Sequence, residues 1–353
     1  MGYNNHVTLN IDSEYLTQFL VGLLAIPSPT GDCNRALDFT DRALRDIGLS
    51  TRRTPKGALI GTLDGRVNDV SHAVTAHVDT LGAMVKEIKT NGRLSLSLLG
   101  NYPWNAIEGE TVTIATEERG EYRGTVQLIH ASKHVHGPRV GEAVRDASTM
   151  EVRIDAITST DTETRALGIE VGDFVYLDPR IEQVNGFIRS RHLDNKAGVA
   201  CILAAVKALN DAKIVPAHRL VVHISHYEEV GHGAAVGIPP DCHELLTVDM
   251  AAVGEGQTSD EFHCTLCIKD SAGPYHIDFN RKLRKLAAQN EITLRTDVYP
   301  FYGSDGEAFW RSGGDARVAL IGPGVDASHS YERTHINALV DTAKMIAHYL
   351  AGE

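Results

Sequence analysis

The sequence predicts an α/β fold in which helices flank a central mixed sheet and a small β-barrel domain is inserted into the chain. Helical and strand-like segments alternate towards both termini, whereas the stretch from about Met84 to Phe187 has short strand-like runs and no long helix. The chain has 353 residues, 42% of them hydrophobic, which is enough for a sizeable core. We therefore expect an α/β domain of residues 1–83 and 188–353, interrupted by a β domain at 84–187.

Two helices and two strands are predicted at the N-terminal end. SEYLTQFLVGLLAI has helical apolar spacing, with Ser13 or Asp12 as its N-cap. A second amphipathic helix, NRALDFTDRALRDIGL, ends at Gly48. The strands that follow are GALIGTL and HAVTAHVDT. This alternation is typical of an α/β sheet.

The inserted domain is predicted from short alternating runs joined by glycine-containing turns: RLSLSLLG, ETVTIATEERGEYRGTVQLIH, MEVRIDAI, GDFVYLDP and GFIRS. Several small strands of this kind are typical of a compact β-barrel. Between them, HASKHVHGPRVGEAVRD is expected to be an exposed polar loop. Its histidines, His130, His134 and His136, leave a metal-binding tract as the alternative.

Helices and strands alternate again after Asp194. NKAGVACILAAVKALND predicts a strongly apolar helix, and RLVVHISHY, ELLTVDMA and EFHCTLCIKD predict strands. A final helix is expected over SYERTHINALVDTAKMIAHYL. This part of the sequence completes the α/β domain.

Charge and hydropathy disfavour two classes of partner. A net charge of −12 argues against a nucleic-acid or anionic-membrane surface. The basic cluster at 281–285 is expected on the solvated face of a helix. No apolar run approaches the ~20 residues of a membrane span, and the N-terminus lacks a signal pattern. We therefore expect no membrane association and no secretion.

The cysteines indicate a reducing compartment. There are five, an odd number, in a chain that is not small, so reduced thiols in the cytoplasm are expected. Cys264 and Cys267 have zinc-knuckle spacing, but no second pair accompanies them. They lie in an apolar strand-like run, so we expect them to pack in the core.

Candidate metal ligands follow predicted strands at five places. They are AHVDT with His77 and Asp79, RHLDNKAG with Asp194, SHYEEVG with Glu228 and Glu229, TVDMA with Asp249, and DASHSYERTH with His329 and His335. Ligands of α/β sheets collect at the carboxyl ends of the strands. We therefore expect these segments to converge.

The first two of these segments each allow two interpretations. His77 and Asp79 share one face of a strand, because side chains two residues apart point the same way. A metal-bound histidine commonly donates its other ring N–H to a carboxylate, so His-x-Asp fits a metal site. The alternative is two polar residues at a strand end. Asp194 could bridge two cations through its two oxygens, or only cap the following helix.

The adjacent acids Glu228 and Glu229 follow an apolar strand, where two like charges are costly to bury. Two cations would neutralise them. One carboxylate could then bind metal while the other faces the attacking water as a general base. Asp249 also ends an apolar strand, where a lone aspartate is otherwise a costly placement.

The remaining candidates lie near the C-terminus. His329 is preferred to His335, because it lies in a loop of small residues, whereas His335 is expected in the first turn of the final helix. Ser304 and Asp305 are candidates for substrate contact or for a helix cap. The whole set supplies two histidines and three carboxylates, which suits two divalent ions about 3.5–4 Å apart. Such nitrogen and oxygen ligands fit zinc, cobalt or manganese.

In this order, HVDT, LDNKAG, EEVG, VDM and ASHSYE resemble the glutamyl aminopeptidase and deblocking aminopeptidase (TET-type) family. Its members are dinuclear metallo-aminopeptidases with a zinc-exopeptidase-like fold, often assembled as tetrahedral dodecamers. SPTG, AHVDTLGAMVK, SRHLDNKAGVA and GVDASHSYERTH most resemble a branch associated with the osmoprotectant N-acetylglutaminylglutamine amide. The insertion falls between the first two ligands, not after the third carboxylate as in the acetylornithine deacetylase-like relatives.

The resemblance implies a ligand role for each of five residues. Asp194 would bridge two metal ions, with zinc the first choice. His77 and Asp249 would complete one site. Glu229 and His329 would complete the other.

The resemblance also implies the roles that surround the metals. Glu228 would be the general base, and Asp79 would orient His77. A cis peptide is expected between Asp194 and Asn195. The pair Asn195-Lys196 stands where many members have Asp-Arg, which is expected to alter substrate contacts and not metal binding.

These expectations give a cytoplasmic metallo-aminopeptidase that removes N-terminal residues from short peptides and forms a homo-oligomer, a dodecamer by resemblance. The inserted domain would act as a lid or in oligomerisation. One alternative is a hydrolase of the acetylated, amidated dipeptide osmolyte. The other is a non-catalytic, metal-stabilised assembly protein, which would have no need of Glu228 as a base.

Overall fold

The strands form three separate systems. A computed structural model describes residues 9–352 of the chain. Within these residues there are a nine-stranded mixed sheet, a closed six-stranded barrel and a three-stranded sheet. The predicted α/β fold, with a central mixed sheet, flanking helices and a small β-barrel, is confirmed.

The helices of the described chain are α1 Ser13–Leu24, α2 Asn34–Asp46, α3 Lys133–His136, α4 Arg139–Glu142, α5 Asp161–Ala166, α6 Leu193–Asp211, α7 Ile277–Gln289, α8 Asp305–Arg311 and α9 Ile336–Ala351. The strands are β1 Ser50–Arg53, β2 Leu59–Leu63, β3 Val67–His77, β4 Gly82–Ile88, β5 Leu94–Leu99, β6 Thr111–Thr116, β7 Gly120–Leu128, β8 Met150–Ile154, β9 Phe174–Leu177, β10 Glu182–Val184, β11 Phe187–Ser190, β12 His218–Ser225, β13 Cys242–Val248, β14 Ala251–Ala252, β15 Cys264–Lys269, β16 Leu294–Val298, β17 Arg317–Val325 and β18 Glu332–His335.

The large sheet has the order β1-β2-β12-β3-β13-β17-β15-β16, with β14 paired to β17. The central strands β12, β3, β13 and β17 run parallel to one another. Antiparallel pairs lie further out, at β1–β2, β2–β12 and β15–β17. The parallel centre brings the carboxyl ends of four strands to one edge, which is where ligands bind in such sheets.

Helix α6 packs between the sheet and two other helices, α1 and α9. It is apolar on every side, and its residues from Leu193 to Val206 are all buried. A helix that is hydrophobic all round belongs in a core, as its sequence predicted. Because α6 is held on all sides, it fixes the position of Asp194 in its first turn.

The barrel closes in the order β4-β5-β8-β7-β6-β9 and has a core of its own. Alternate residues such as Val112 and Ile114 point inwards, as the two-residue period of a strand requires. GFIRS, expected among the strands of the inserted domain, forms β11 of the three-stranded sheet instead. The domain boundaries at 83/84 and 187/188 stay a prediction.

Two sequence predictions about local structure were wrong. The polar segment between β7 and β8 contains the short helices α3 and α4, not a continuous loop. The rings of His130 and His136 lie 4.5 Å apart there, between centroids. The final helix begins at Ile336, because Glu332–His335 pairs with β11 as strand β18. Long-range pairing overrides the helical preference of that segment.

The cysteines lie in the core, as the sequence predicted for Cys264 and Cys267. All five are unpaired and buried, and Cys264 and Cys267 lie on β15.

The first helix begins with a capping acid. Asp12, not Ser13, caps α1 by accepting a hydrogen bond from the Tyr15 N–H. Between residues 9 and 352, no helix has both the length and the apolar character needed to cross a bilayer.

Gly322 on β17 allows a close approach of the chain to Asp249. A Cβ atom at Gly322 would lie 1.5 Å from the main-chain oxygen of Asp249. No side chain fits in that space, so the glycine lets β17 run directly beside the residue that follows β13.

Candidate active site

The predicted ligands come from separate elements that meet at the carboxyl edge of the parallel strands. His77 ends β3, and Asp249 directly follows β13. Glu228 and Glu229 lie in the turn after β12, and His329 lies in the loop between β17 and β18. This convergence was expected from the strand-end positions.

Asp194, in the first turn of α6, lies between two histidines. Its Oδ1 is 3.2 Å from Nε2 of His77, and its Oδ2 is 3.3 Å from Nε2 of His329. The two oxygens of one carboxylate therefore face two different imidazoles. Such a carboxylate can be shared between two cation positions.

A further carboxylate accompanies each histidine. The Nε2 atom of His77 is 3.7 Å from Oε2 of Glu228 and 3.8 Å from Oδ1 of Asp249. The Nε2 atom of His329 is 3.7 Å from Oε2 of Glu229. The other oxygen of Glu229, Oε1, is buried without a hydrogen-bond partner. A buried carboxylate oxygen without a partner is suited to bind a cation.

Burial changes the pKa of every acid in this cluster. It raises the pKa of Glu228, Glu229 and Asp249 well above their ordinary values. Burial acts on Asp194 as well, but hydrogen bonds from His329 and His77 lower the pKa of that carboxyl. Buried acids this close repel one another, and bound divalent cations would relieve the repulsion.

Asp79 fixes the backbone that carries the acid pair. Its carboxylate accepts hydrogen bonds from the N–H of Glu228 at 3.2 Å, the N–H of Glu229 at 3.3 Å and the Thr30 hydroxyl at 2.7 Å. Its main-chain oxygen lies 2.9 Å from Nδ1 of His77, whereas its carboxylate is 3.8 Å away. The nearer contact to His77 is thus the backbone.

Glu332 makes the corresponding contacts on the other side of the cluster. Its carboxylate accepts a hydrogen bond from the Asp194 N–H at 3.1 Å and another from the His329 N–H at 3.1 Å. The side chain is buried. Sequence reasoning missed this residue because its segment was assigned to a helix, although an acid three positions after a candidate ligand was a usable signal.

The second nitrogen of His329 is held by the barrel. Its Nδ1 atom lies 2.6 Å from the main-chain oxygen of Asn101, in the segment between β5 and β6. A carbonyl at this position fixes the tautomer of a ligating histidine and the orientation of its ring. The inserted part of the chain therefore takes part in the candidate site.

A cavity of 630 Å³ opens beside these residues. Asp194, Glu228, Glu229, Asp249 and His329 all line it. Its other wall comes largely from β14, the loop after β16 and helix α8: Ala252, Tyr299, Pro300, Phe301, Tyr302, Ser304, Glu307 and Arg311. The cavity therefore places a bound molecule next to the acids and histidines.

Similarity to known proteins identifies the family of this chain. Residues 57–345 match the sequence profile of the M42 glutamyl aminopeptidase family. The chain belongs to this family. It is similar to a Bacillus subtilis (strain 168) protein named "Putative aminopeptidase YhfE", with 44% identity over 329 residues, 93% of this chain and 95% of that protein.

The M42 chain also shares its fold with solved structures. The Desulfurococcus kamchatkensis aminopeptidase APDkam598 superposes with a TM-score of 0.86 at 18% identity, covering 97% of this chain and 96% of that one. The Pyrococcus horikoshii TET1 peptidase superposes with a TM-score of 0.83 at 21% identity, covering 95% and 99%. That peptidase is described as assembling into a tetrahedron or a large octahedral shell.

As an M42 member, the chain is a metallo-aminopeptidase, and its residues fit a metal ion. Ligand atoms of His77, Asp194 and Glu229 lie within 4.8 Å of one another. The set is nitrogen and carboxylate oxygen, which suits zinc and similar divalent ions. The expected cis peptide between Asp194 and Asn195 is present.

The pair Asn195-Lys196 does not reach the cavity of the M42 enzyme. Both residues are fully buried. Asn195 donates to the main-chain oxygen of Val248, and Lys196 donates to the main-chain oxygens of Leu23 and Ile26. Both side chains hold the scaffold, so any effect of this pair on substrate contacts, as the sequence predicts, is an indirect one.

The two candidate substrate residues lie in different places. Ser304 lines the cavity, and its Oγ also caps α8 by accepting from the Gly306 N–H at 3.2 Å. Asp305 is buried and accepts hydrogen bonds from the Ala234 N–H at 2.8 Å and from the Ser225 hydroxyl. The structure thus supports the cap for Ser304 and gives Asp305 a position behind the site.

Replacing Glu332 with glutamine is expected to weaken divalent-metal binding by about 10- to 100-fold, the usual effect of losing a residue that orients ligands. Glutamine has one acceptor oxygen, and its NH₂ group would face a main-chain N–H of Asp194 or His329. Competition with a chelator measures the affinity. Glu291→Gln, an exposed glutamate, is the control and should match the original protein; equal affinity in both variants would contradict the prediction.

Proposed function

We propose that the chain is a dinuclear metal-dependent aminopeptidase that removes N-terminal residues from short peptides. The observation that carries this proposal is Asp194, whose two oxygens face His77 and His329. Asp249 would complete the position next to His77, and Glu229 the position next to His329. Zinc is the first choice, and cobalt or manganese suit the same ligands.

When bound, the metal ions polarise the scissile carbonyl and make water a better nucleophile near neutral pH. The chain itself supplies the proton transfer. Glu228 lines the cavity directly beside the proposed ligand Glu229, so its carboxylate is placed to act as the general base. It takes a proton from the attacking water and delivers it to the amine that leaves as the C–N bond breaks.

The cavity also favours an enzyme over a metal-stabilised scaffold. A scaffold needs ligands but no base, whereas Glu228 is held by Asp79 at the wall of an open cavity. The second hydrolytic candidate is the acetylated, amidated dipeptide N-acetylglutaminylglutamine amide. Its support is the sequence resemblance of AHVDTLGAMVK and SRHLDNKAGVA to the osmoprotectant-associated branch.

A hydrolysis assay separates these candidates. The metal-loaded protein is offered matched short peptides with free and with acetylated N-termini, together with N-acetylglutaminylglutamine amide. Cleavage only of the free-amine peptides is the expected result for an aminopeptidase. Cleavage of the acetylated amide would replace that function by osmolyte hydrolysis. Metal binding without any cleavage would favour the scaffold.

We also propose the setting in which this enzyme works. Residues 1–83 and 188–353 form its catalytic domain, and 84–187 form a lid or oligomerisation domain, on which Val135 and Val144 are 73% and 67% exposed. The assembly described for the TET1 relative supports a homo-oligomer, with a dodecamer as the expected size. Five unpaired, buried cysteines support a cytoplasmic location.

A further inference from the structure

A second pair of acids lies in the cavity wall, apart from the candidate metal ligands. Glu307 lines the cavity, and its side chain is 9% exposed. Asp270 is fully buried beside it. The two acids converge on one donor, because Oε1 of Glu307 and Oδ1 of Asp270 each lie 3.0 Å from the N–H of Ala272. Neither acid has a part in the proposed hydrolysis.

Asp270 and Glu307 have different hydrogen-bond donors besides the Ala272 N–H that they share. Asp270 also accepts hydrogen bonds from the Gly273 N–H at 2.7 Å and from the Tyr275 hydroxyl. Glu307 is bonded by Arg311, four residues further along α8, at 3.1 Å. The Arg311 side chain is 70% exposed, so this ion pair is at the solvent side of the wall. Glu307 and Arg311 line the cavity, whereas Asp270 does not, so Glu307 is the acid that faces it.

Charge in this wall favours a cationic ligand. The wall contains two carboxyl groups and one guanidinium group, that of Arg311. The nearby Lys269 donates to the main-chain oxygen of Asp270 and not to either carboxyl. Burial and then the neighbouring Asp270 raise the pKa of Glu307 to about 7, as expected for an acid short of compensating positive charge. An acidic side chain placed here would meet the carboxyl of Glu307, with that of Asp270 behind it. An ammonium or guanidinium group would replace Arg311 as the partner of Glu307.

We propose that Glu307, supported by Asp270, forms a specificity subsite that takes the cationic side chain of a lysine or arginine residue at the substrate N-terminus. In the free enzyme, Arg311 occupies the position of that cation. Ser304 borders the same subsite through its 2.7 Å contact with the Tyr275 hydroxyl. The inference rests on the proposed aminopeptidase function and adds the substrate class.

The test compares kcat/KM for the dipeptides Lys-Ala, Leu-Ala and Glu-Ala with the metal-loaded protein. We expect Lys-Ala to be preferred to Glu-Ala. Glu307→Gln should lower the ratio of Lys-Ala to Leu-Ala by about 10- to 100-fold, the usual effect of removing a hydrogen-bonded charge partner. Arg311→Gln should raise that ratio, because it removes the competing cation. Glu142→Gln, an exposed acid on α4, is the control and should leave the ratio unchanged.

The ratio also has a predicted pH dependence. Glu307 ionises as the pH rises through about 7, so the preference for Lys-Ala over Leu-Ala should increase between pH 6 and pH 8. The α-amines of the two substrates titrate alike and cancel in the ratio. In Glu307→Gln the ratio should be flat over this range.

Two results would overturn the subsite. One is cleavage of Glu-Ala at least as efficient as that of Lys-Ala. The other is an equal loss on every dipeptide in Glu307→Gln, which would assign Glu307 to the α-amine. Calorimetric binding of the non-hydrolysable amino alcohols L-lysinol and L-leucinol reads the preference without turnover. If the protein binds lysinol in preference to leucinol but cleaves no dipeptide, the proposed subsite is supported and the proposed aminopeptidase function is refuted.

Discussion

Replacing Glu228 with glutamine is expected to lower kcat by about 100- to 10,000-fold, the usual contribution of a general base. Glutamine keeps the size of the side chain and an oxygen facing the cavity, but it cannot accept the proton of the attacking water. The Asp79 bonds to the main chain should survive, because they involve the Glu228 N–H and not its side chain. KM should change far less than kcat.

Metal content distinguishes loss of the base from loss of the site. Glu228→Gln should bind the same number of divalent ions as the original protein, because the proposed ligands are other residues. Glu118→Gln, an exposed glutamate of the barrel, controls for the removal of one negative charge. Original activity in Glu228→Gln would refute the proposed mechanism, and a loss of metal would move Glu228 into the ligand set.

Replacing Asp194 with asparagine is expected to abolish detectable turnover, a loss of more than about 1,000-fold, and to remove both metal positions together. An amide keeps one acceptor oxygen and replaces the other by an NH₂ group. The bond to either His77 or His329 is then lost, and so is the negative charge that both cations would share. Removing the partner of buried charges is strongly unfavourable.

Stoichiometry is the decisive measurement for this variant. In a zinc titration, the number of ions bound per chain should fall from the proposed two to fewer than one in Asp194→Asn. Asp249→Asn is the matched comparison. Of the two histidines, Asp249 lies beside His77, so this variant should lose only the metal position next to His77. If Asp194→Asn still binds one ion as tightly as the original protein, Asp194 is not a shared ligand.

The convergence of the candidate ligands at one edge was predictable because it depends on local rules. His77 ends an apolar strand, and Glu229 and Asp249 follow apolar strands. The ends of parallel strands meet at one edge whatever the details of packing. The helix containing Asp194 was equally clear, because a segment that is apolar on every side must be buried. Both features can be predicted from the spacing of apolar residues and from the point at which each apolar segment ends.

The hydrogen bonds that support the candidate ligands could not be predicted from the sequence in this way. Glu332 bonds a residue 138 positions away, and Thr30 reaches Asp79 across 49 positions. The segment at Glu332 forms a strand because it pairs with β11. Local preference considers only neighbouring residues, so it could not predict this pairing. Glu307 and Asp270 likewise meet only through folding, so the proposed selectivity of the cavity was invisible in the sequence.

The hydrogen bond from His329 to Asn101 also limits how freely the two parts of this protein can be exchanged. A barrel that only covered the cavity could be deleted or replaced by another module without change at the catalytic edge. Here the carbonyl that orients His329 belongs to the inserted segment. A shortened chain would lack that carbonyl, and a graft from a relative would have to place its own carbonyl at the same point. The insertion and the catalytic edge are therefore coupled through a main-chain contact, and neither can be altered independently of the other.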